Sequence, residues 1–463
     1  MASSSRFLLT SSSLDLLLRL ERGGPESLGR QLQAQLRDAI RRGSLRGGVQ
    51  LPSTRALARD LGISRPIVLD AYDQLAAEGY LHTRRGARPV VADVAAPARP
   101  PRTGRADETT PIRHDLRPIL PDLSMFPRKA WLKALRRTIL EMPAADFGYD
   151  GRHGTEDLRR VLAGYLGRVR GVIAAPERIV VTSGFAEARA LACSVLKSLG
   201  VARLGVEDPS YRTWQAVDQA GLRRVPVPVD AEGLRIDRLE TLGVEAVFVT
   251  PAHQFPTGVV LAKDRRRALI DWLRRNDAYA FEDDYDAEYR YDQSPVGALQ
   301  GLAPERVLYA GTVSKTLAPA LRLGWQVVPA DLAEAVKAAQ LRWHEGSPRI
   351  DQNALAAFIA SGDYDRHLRS MRRLYRARRD MLMRAIAQHL PDAVPRGIAA
   401  GLHVTLYLPD GLDEAEICRR AARRGVAVDG LARYRLSPGG PPALLLGYGS
   451  ASESSLKAAL RIL

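Results

Sequence analysis

The sequence predicts an α/β protein with a small helical N-terminal domain and a larger three-layer domain whose sheet is mostly parallel. From residue 113 onward, short apolar runs alternate with amphipathic helical stretches, a pattern typical of parallel sheets covered by helices. The predicted strands include Tyr279–Asp283 and Val307–Ala310. Before residue 93, two short helical patterns are joined by a glycine turn. Residues 93–112, between these regions, are rich in Pro, Ala, Arg and Thr without an apolar period, which indicates a linker.

Charge and composition narrow the possible functions. The chain has 463 residues and a net charge of +16, and residues 1–105 contribute 17 Arg against 9 acidic residues. This asymmetry favours a nucleic-acid-binding front end, although an Arg-rich composition alone would also produce it. The 2 cysteines exclude a disulfide framework and indicate a reducing, cytoplasmic location. We expect no membrane anchor and no metal site, since long apolar runs and zinc-type Cys/His spacings are absent from the sequence.

The N-terminal domain, residues 25–92, follows an extension at residues 1–24 and is predicted to hold a helix-turn-helix. Ser53 is placed to cap one short helix, Gly62 to end it and Ser64 to cap the next. A second helix that opens with Ser-Arg suits the major groove of DNA. The segment that follows is predicted to form a hairpin with a basic tip, a wing.

These residues resemble the winged helix-turn-helix of the GntR family of repressors, through the frame L-P-S-x-R, L-G-x-S-R, A-Y-x-x-L and E-G. The resemblance implies DNA contacts by Ser53, Arg55, Ser64, Arg65, Arg84 and Arg85. Because Arg55 and Arg65 stand at helix beginnings, where backbone N–H groups also attract phosphate, we expect them to position the DNA backbone. Ile67 and the Gly-Ala-Arg-Pro wing tip depart from the family, so operator preference does not follow from the resemblance.

Lys315 is the lysine best placed for chemistry. It follows an apolar strand pattern, stands among small and hydroxyl residues and has no neighbouring carboxylate. A lysine in such a setting can be desolvated and partly neutral, as a nucleophile that forms a Schiff base must be. The alternative is an ordinary lysine on a surface loop.

The acidic segment Phe281–Asp286 ends the preceding predicted strand. Consecutive acids can also bind a metal or a solvated cation, and the segment alone leaves that alternative open. Pyridoxal phosphate needs an ionised carboxylate against its pyridine nitrogen. Asp283 suits that need, with Tyr285 as a donor to the phenolate oxygen, whereas Asp284 points to the opposite face of the strand.

The phosphate of such a cofactor also needs a binding site. The segment Thr182–Ala186 follows a strand and opens a helix, so backbone N–H groups at Gly184 and Phe185 can hold a dianion. The remaining candidates for the cofactor shell are Arg322, Thr312, Ser314 and, as a ring that stacks on the cofactor, Tyr211.

Residues 113–463 resemble fold-type-I, aspartate-aminotransferase-like pyridoxal enzymes, and the whole chain is similar to the MocR/GabR branch of the GntR regulators. Further matches are P-D-L-S-M-F-P, Y-D-G-R-H-G and T-P-A-H-Q-F-P-T-G. The resemblance implies a three-layer α/β/α domain with a small C-terminal subdomain at about residues 363–463. It also implies that Lys315 forms an aldimine with pyridoxal 5'-phosphate, and that Arg322 binds the phosphate. Tyr149 would reach the cofactor of a second subunit, which implies a homodimer.

The chain departs from aminotransferases at several positions. Phe255 stands where aminotransferases carry an Asn that contacts the cofactor; His253 is a candidate substitute or a loop histidine without a role. Phe185 and Ala186 leave mainly backbone donors in the phosphate loop. The last predicted strand lacks the Arg that holds a substrate carboxylate, so Arg433 or Arg435 would have to bind it, unless both are simply exposed arginines.

Two functions therefore remain open. In the first, the protein is a pyridoxal-phosphate-dependent, DNA-binding transcriptional regulator that senses an amino compound or the cofactor itself through the lysine aldimine, with little or no transamination. In the second, it is a working aminotransferase with an accessory DNA-binding domain. The operator-reading domain favours the first; the complete set of Lys, Asp, Tyr and Arg keeps the second open.

Overall fold

A computed structural model describes residues 18–84, 87–93, 111–118, 120–148, 152–291, 296–343 and 346–463. The chain divides into two compact units, residues 1–107 and residues 108–463. Within the described ranges, no helix is both long and apolar enough to cross a membrane.

The N-terminal unit contains three helices and a short hairpin. Its elements are α1 (Leu28–Arg41), α2 (Thr54–Asp60), α3 (Arg65–Ala77), β1 (Leu81–His82) and β2 (Val90–Val91). The strands β1 and β2 pair antiparallel, as predicted for the wing. The Ser53 hydroxyl caps α2 by accepting the Ala56 N–H at 3.2 Å. Gly62 follows α2 in the left-handed region, at φ +63°, so the chain turns there with little steric penalty.

A buried apolar cluster holds this unit together. Leu32, Leu57, Val68 and Tyr72 are at most 1% exposed, so each helix contributes to one core. The Tyr72 hydroxyl satisfies its polar end by donating to the Pro52 carbonyl at 3.1 Å. The apolar spacing that predicted α1–α3 therefore corresponds to the inner faces of these helices.

An eight-stranded sheet forms the middle layer of the larger unit. Its strands are β4 (Ile179–Thr182), β5 (Arg203–Asp208), β6 (Arg223–Asp230), β7 (Gly233–Leu234), β8 (Ala246–Val249), β9 (Tyr279–Asp284), β10 (Val307–Thr312) and β11 (Gly324–Val327). Their order is β4-β11-β10-β9-β8-β5-β6-β7. Strands β10, β9, β8, β5 and β6 run parallel, whereas β11 lies antiparallel between β4 and β10. The prediction of a mostly parallel sheet is confirmed.

Helices cover both faces of this sheet, and two separate apolar clusters pack against its central strands. The helices before the C-terminal region are α4 (Arg128–Glu141), α5 (Glu156–Arg170), α6 (Phe185–Ser198), α7 (Gln215–Gln219), α8 (Asp237–Thr241), α9 (Lys263–Arg275), α10 (Ala333–Leu341) and α11 (Arg349–Ala360). Parallel strands buried on both faces explain the near-continuous apolar runs in the sequence.

The C-terminal region begins with the long helix α12 (Asp363–His389) and carries its own four-stranded antiparallel sheet. The remaining elements are β12 (Val394–Arg396), β13 (His403–Tyr407), α13 (Glu414–Arg423), β14 (Val426–Ala427), β15 (Asp429–Gly430), β16 (Ala443–Gly447) and α14 (Glu453–Ile462). The sheet order is β12-β13-β16-β15. Strand β3 (His114–Asp115) pairs with β14, so the beginning of this unit packs with its C-terminal region.

Candidate cofactor and DNA-binding sites

A cavity of about 760 Å³ lies at the carboxyl ends of the central strands, where open α/β sheets bind ligands. Lys315, Tyr285 and Tyr211 line it, with Asp286 and His403. Lys315 comes three residues after the end of β10, and Tyr285 comes directly after β9. The topology thus brings together residues that lie far apart in the sequence.

Burial makes Lys315 an unusual lysine. It lowers the pKa of the ammonium group to about 8, although the nearby carboxylates Asp286 and Asp283 favour the charged form. The Tyr289 hydroxyl donates to the Lys315 carbonyl at 3.3 Å, which fixes the backbone beneath the side chain. At pH 7 about one-tenth of this amine is therefore neutral and nucleophilic, a much larger fraction than for an ordinary lysine.

Asp283 and Asp284 are adjacent carboxylates in different surroundings. Arg170 donates to Asp284 through Nε at 2.6 Å, and the Tyr309 hydroxyl donates to it at 2.6 Å. Asp283 is 2% exposed, and neither of its carboxylate oxygens makes a hydrogen bond of standard geometry among the described residues, although the Tyr211 hydroxyl is near enough to favour the charged carboxylate. Burial raises the pKa of Asp283 well above its ordinary value. Asp283 thus lacks a well-placed buried donor, whereas Asp284 accepts hydrogen bonds from Arg170 and Tyr309.

The Tyr285 hydroxyl lies 3.0 Å from His253 Nδ1, and the same nitrogen lies 3.0 Å and 3.2 Å from the two carboxylate oxygens of Asp286. All three side chains are buried. His253 is therefore part of the candidate site, because its ring contacts the Tyr285 hydroxyl.

The predicted phosphate loop folds as a tight turn into α6. Gly184 caps the helix at φ +98°, and a Cβ there would lie 3.6 Å from the Arg322 guanidinium. The Thr312 hydroxyl donates to the Leu323 carbonyl at 3.0 Å and lies 2.9 Å from the Ser314 hydroxyl. Arg322, Thr312, Ser314 and the N-terminus of α6 are thus neighbours, as an anion site requires.

Aromatic rings form one wall of the site. Tyr211 stacks on Phe255 with ring centroids 4.9 Å apart and planes 16° from parallel. Phe185 packs against Tyr211 and, on its other side, against Phe281 of β9. Phe255 occupies its position as a packing residue, so no side-chain amide is available there.

Arg433 and Arg435, the two candidates for binding a substrate carboxylate, line different cavities. Arg433 lines the Lys315 cavity and donates to Asp429 at 2.5 Å. Arg435 donates to the Gly439 and Pro441 carbonyls and lines a different cavity. Two further cations line the Lys315 cavity and were not predicted: Arg117 and Arg212. Arg212 directly follows Tyr211, a position that could have suggested it from the sequence.

The predicted DNA-binding residues lie at the surface of the N-terminal unit. Arg55 is exposed in the first turn of α2, and Ser64 and Arg65 are exposed where α3 begins. The Ser64 hydroxyl makes no capping bond, unlike the hydroxyl of Ser53. Arg84 is exposed in the wing. Two other predicted residues, Arg85 and Tyr149, lie outside the described residues.

Comparison with known proteins places both units. Residues 28–91 match the family described as bacterial regulatory proteins, gntR family, and residues 120–439 match aminotransferase class I and II. The chain is 35% identical to the HTH-type pyridoxine biosynthesis transcriptional regulator PdxR of Corynebacterium glutamicum, covering 96% of each protein. It is 33% identical to the probable rhizopine catabolism regulatory protein MocR of Rhizobium meliloti, covering 95% of this chain and 94% of that protein. The chain belongs to the MocR-type branch of the GntR transcriptional regulators.

The larger unit of this MocR-type regulator has the fold-type-I aminotransferase fold. It superposes on the crystal structure of an archaeal alanine:glyoxylate aminotransferase with a TM-score of 0.70 and 26% identity, covering 76% of this chain and 90% of that one. Pyridoxal 5'-phosphate is the cofactor of this fold and family. The residues present fit it, because the Asp283 carboxylate, which lacks a well-placed buried donor, and the glycine turn beneath Arg322 match a pyridine nitrogen and a phosphate.

Proposed function

We propose that this protein is a pyridoxal-phosphate-dependent regulator that binds operator DNA as a homodimer and senses an amino compound, or the cofactor itself, through Lys315. The observation that carries the proposal is the presence in one chain of a winged helix with exposed arginines and of a buried, partly neutral lysine that lies within electrostatic reach of the buried Asp283. The names of the two relatives connect one with pyridoxine biosynthesis and the other with rhizopine catabolism, which agrees with either effector.

When bound, the cofactor supplies an aldehyde that reacts with amines and a ring that withdraws electrons. In our proposal Lys315 is the residue that holds the aldehyde carbon. Asp283 accepts the pyridine N–H and gains the well-placed donor that it lacks, so its carboxylate stays charged. Arg322 and the N–H groups at Gly184 and Phe185 bind the phosphate, while Tyr211 covers one face of the ring.

The cations of the cavity suggest the effector's chemistry. Arg433, Arg117 and Arg212 line the same cavity as Lys315, and two of them are already balanced by Asp429 and by Asp115. Among the described residues, Arg212 takes part in neither of these ion pairs. We propose that an amino compound with a carboxylate is bound by Arg212 and Arg433, and that Arg435 has no part in this.

DNA binding by one winged helix is weak, so two copies on a dimer are proposed to read paired half-sites. Large apolar side chains at and near α4 support a dimer, since Leu132, Leu140 and Phe147 are 63%, 72% and 55% exposed. Monomeric proteins rarely expose such groups together. The same proposal places the protein in the cytoplasm, with its operator.

An active aminotransferase is the second candidate function. Lys315 and Tyr285 line one cavity, and Lys315 lies close enough to the buried Asp283 for that carboxylate to favour its charged form, which favours this candidate. The apolar sequence of β16 disfavours it, because Ala443–Gly447 offers no arginine for a substrate carboxylate.

The two candidates are separated by measuring DNA affinity and turnover in the same samples. Fluorescence anisotropy with promoter DNA from the protein's own locus is recorded with and without pyridoxal phosphate, and then with each amino compound that shifts the visible absorption. A regulator changes its DNA affinity at least tenfold, which corresponds to about 1.4 kcal/mol, and Lys315→Ala abolishes that change. Unchanged affinity together with many turnovers of an amino donor and a keto acid contradicts the regulator and leaves the aminotransferase.

A further inference from the structure

We propose that Asp286 and His253 are positioning residues that keep the Tyr285 hydroxyl proton available to the cofactor. The assignment rests on the proposed cofactor site and concerns two side chains that were not assigned this task by sequence. The Asp286 carboxylate favours a proton on His253 Nδ1. A protonated Nδ1 cannot accept a hydrogen bond, so the Tyr285 hydroxyl then donates to another acceptor.

The geometry creates a competition for one nitrogen. His253 Nδ1 lies 3.0 Å and 3.2 Å from the two oxygens of Asp286 and 3.0 Å from the Tyr285 hydroxyl. A ring nitrogen carries either a proton or a lone pair. If Nδ1 carries the proton, it donates to Asp286, and the Tyr285 hydroxyl must donate elsewhere. If Nδ1 carries the lone pair, it accepts from Tyr285, and the Asp286 carboxylate loses this donor.

Burial decides between these two arrangements. His253 and Asp286 are 3% and 1% exposed, so water cannot replace a lost donor to the carboxylate. Loss of the His253 donor is costly for a carboxylate buried this deeply, whereas Tyr285 faces a cavity in which the cofactor's phenolate oxygen would offer another acceptor. The protonated Nδ1 is therefore the favoured arrangement, and the Tyr285 proton is left for the cofactor.

The surrounding residues leave little free space around His253 and Asp286. Gly401 has φ +68°, and a Cβ there would lie 2.2 Å from His253 Cε1 and 2.5 Å from Asp286 Oδ2. From β13, the His403 ring lies 5.3 Å from the His253 ring and contacts the Pro256 carbonyl through Nε2 at 2.9 Å. Burial lowers the pKa of His403 to about 4, so it stays neutral beside His253.

Among the described residues, the charged and titratable groups close to Tyr285 or Asp286 are His253, His403, Lys315, Asp283, Tyr211, Glu207, Glu288, Tyr291 and Tyr448. Burial and the surrounding acids raise the pKa of Tyr285 well above its ordinary value, so its hydroxyl remains a donor at neutral pH. Donation to the phenolate oxygen weakens the hold of that oxygen on the proton at the Lys315 nitrogen. Loss of this donation should therefore raise the pH at which the visible band of the bound cofactor titrates.

The test is a set of pH titrations of that band in the cofactor-loaded, full-length protein. Tyr285→Phe should raise the midpoint by about one pH unit in the wild-type background. In an Asp286→Ala background Tyr285 donates to His253 instead, so Tyr285→Phe should have little further effect. Adding His253→Phe to Asp286→Ala removes the competing acceptor and should restore the effect. An equal effect of Tyr285→Phe in all three backgrounds overturns the proposal, because Asp286 then acts through charge alone.

A second measurement needs no altered residue in the sample itself. Nitrogen-15 NMR of the loaded wild-type protein, with the His253 signal assigned by comparison with His253→Gln, reports which ring nitrogen is protonated. We expect the proton at Nδ1; a proton at Nε2 alone overturns the assignment even if the Asp286 variants fail to fold. Absence of any cofactor band in the wild type would instead refute the cofactor site, and this assignment with it.

Discussion

The candidate functional residues of the winged helix are exposed to solvent, whereas those of the site around Lys315 are buried. In the first, Arg55 and Arg65 are exposed, while buried apolar residues such as Leu57 and Val68 form the core. In the second, Asp283 and Lys315 are buried at strand ends, and the fold leaves Asp283 without a hydrogen bond of standard geometry. DNA-binding residues can therefore change with little cost to the fold, whereas the site around Lys315 contains a buried acid whose hydrogen-bonding capacity a bound ligand can satisfy.

The largest effect is expected at Lys315. Lys315→Ala should abolish the visible absorption band of the bound cofactor, because no other amine of the cavity can take its place. DNA affinity measured without effector should stay within about twofold of the wild-type value, since Lys315 belongs to the larger unit and the winged helix to the N-terminal unit. A band that persists in the variant would show that another lysine holds the cofactor.

Substitutions of the adjacent acids Asp283 and Asp284 should have different effects on cofactor binding. Asp283→Asn should weaken cofactor binding about 100-fold, because a neutral amide cannot hold the pyridine proton. It should leave the unfolding free energy of the cofactor-free protein unchanged or higher, since it removes a buried carboxylate without a well-placed donor. Calorimetric titration with pyridoxal phosphate and chemical denaturation measure the two quantities.

Asp284→Asn is the matched control for that experiment. It breaks the buried ion pair with Arg170 and should lower the unfolding free energy by about 3 kcal/mol. Its effect on cofactor affinity should be the smaller of the two. If instead Asp284→Asn removes cofactor binding while Asp283→Asn does not, the assignment of the two carboxylates is reversed.

Substitutions on the winged helix should affect DNA alone. Arg55→Ala and Arg65→Ala should each lower DNA affinity about tenfold, and each should reduce the slope of log affinity against log salt by about one. The cofactor band should be unchanged. Arg461→Ala, an exposed arginine of α14, is the control and should leave both readouts as in the wild type. A fall in affinity without a change in salt slope would indicate that these arginines do not contact phosphate.

The smallest effect is a pH dependence of cofactor capture. Because burial lowers the pKa of Lys315 to about 8, the neutral amine increases as the pH rises toward that value and changes little above it. Stopped-flow absorbance should show the capture rate rising roughly tenfold from pH 7 to a plateau near pH 9. A rate that keeps rising toward pH 10.5 would mean that the lysine is not desolvated.

The sequence predicted most of the sheet, and its principal omission has a physical reason. The predicted strand at Val307–Ala310 appears as Val307–Thr312, and that at Tyr279–Asp283 appears as Tyr279–Asp284. Strand β6 was not predicted, because Pro226 and Pro228 interrupt its alternating valines and prolines lack a backbone N–H. It is tolerated here because β6 lies next to the sheet edge, beside the two-residue strand β7.

The sequence named candidate residues for the site one by one, and their roles stay predictions; the contacts among them could not be inferred from the sequence. Lys315 and Asp283 could be proposed from the sequence because each stands at, or just after, the end of an apolar strand pattern. The contact of His253 with Asp286 joins loops that are 33 residues apart, and no periodicity specifies such a distance. Arg433 and Arg435 are two residues apart in one turn, so only the folded backbone separates the one that lines the cavity from the one that does not. Their roles, like those of Arg85 and Tyr149, stay predictions.

The most direct test of the central claim is borohydride reduction of the wild-type protein loaded with pyridoxal phosphate, followed by mass spectrometry of its peptides. Reduction makes the bond between cofactor and lysine permanent, so the labelled residue can be read directly. The lysine cavity predicts one labelled peptide, carrying the modification at Lys315. Label at a different lysine, or none after the visible band has formed, would contradict the account.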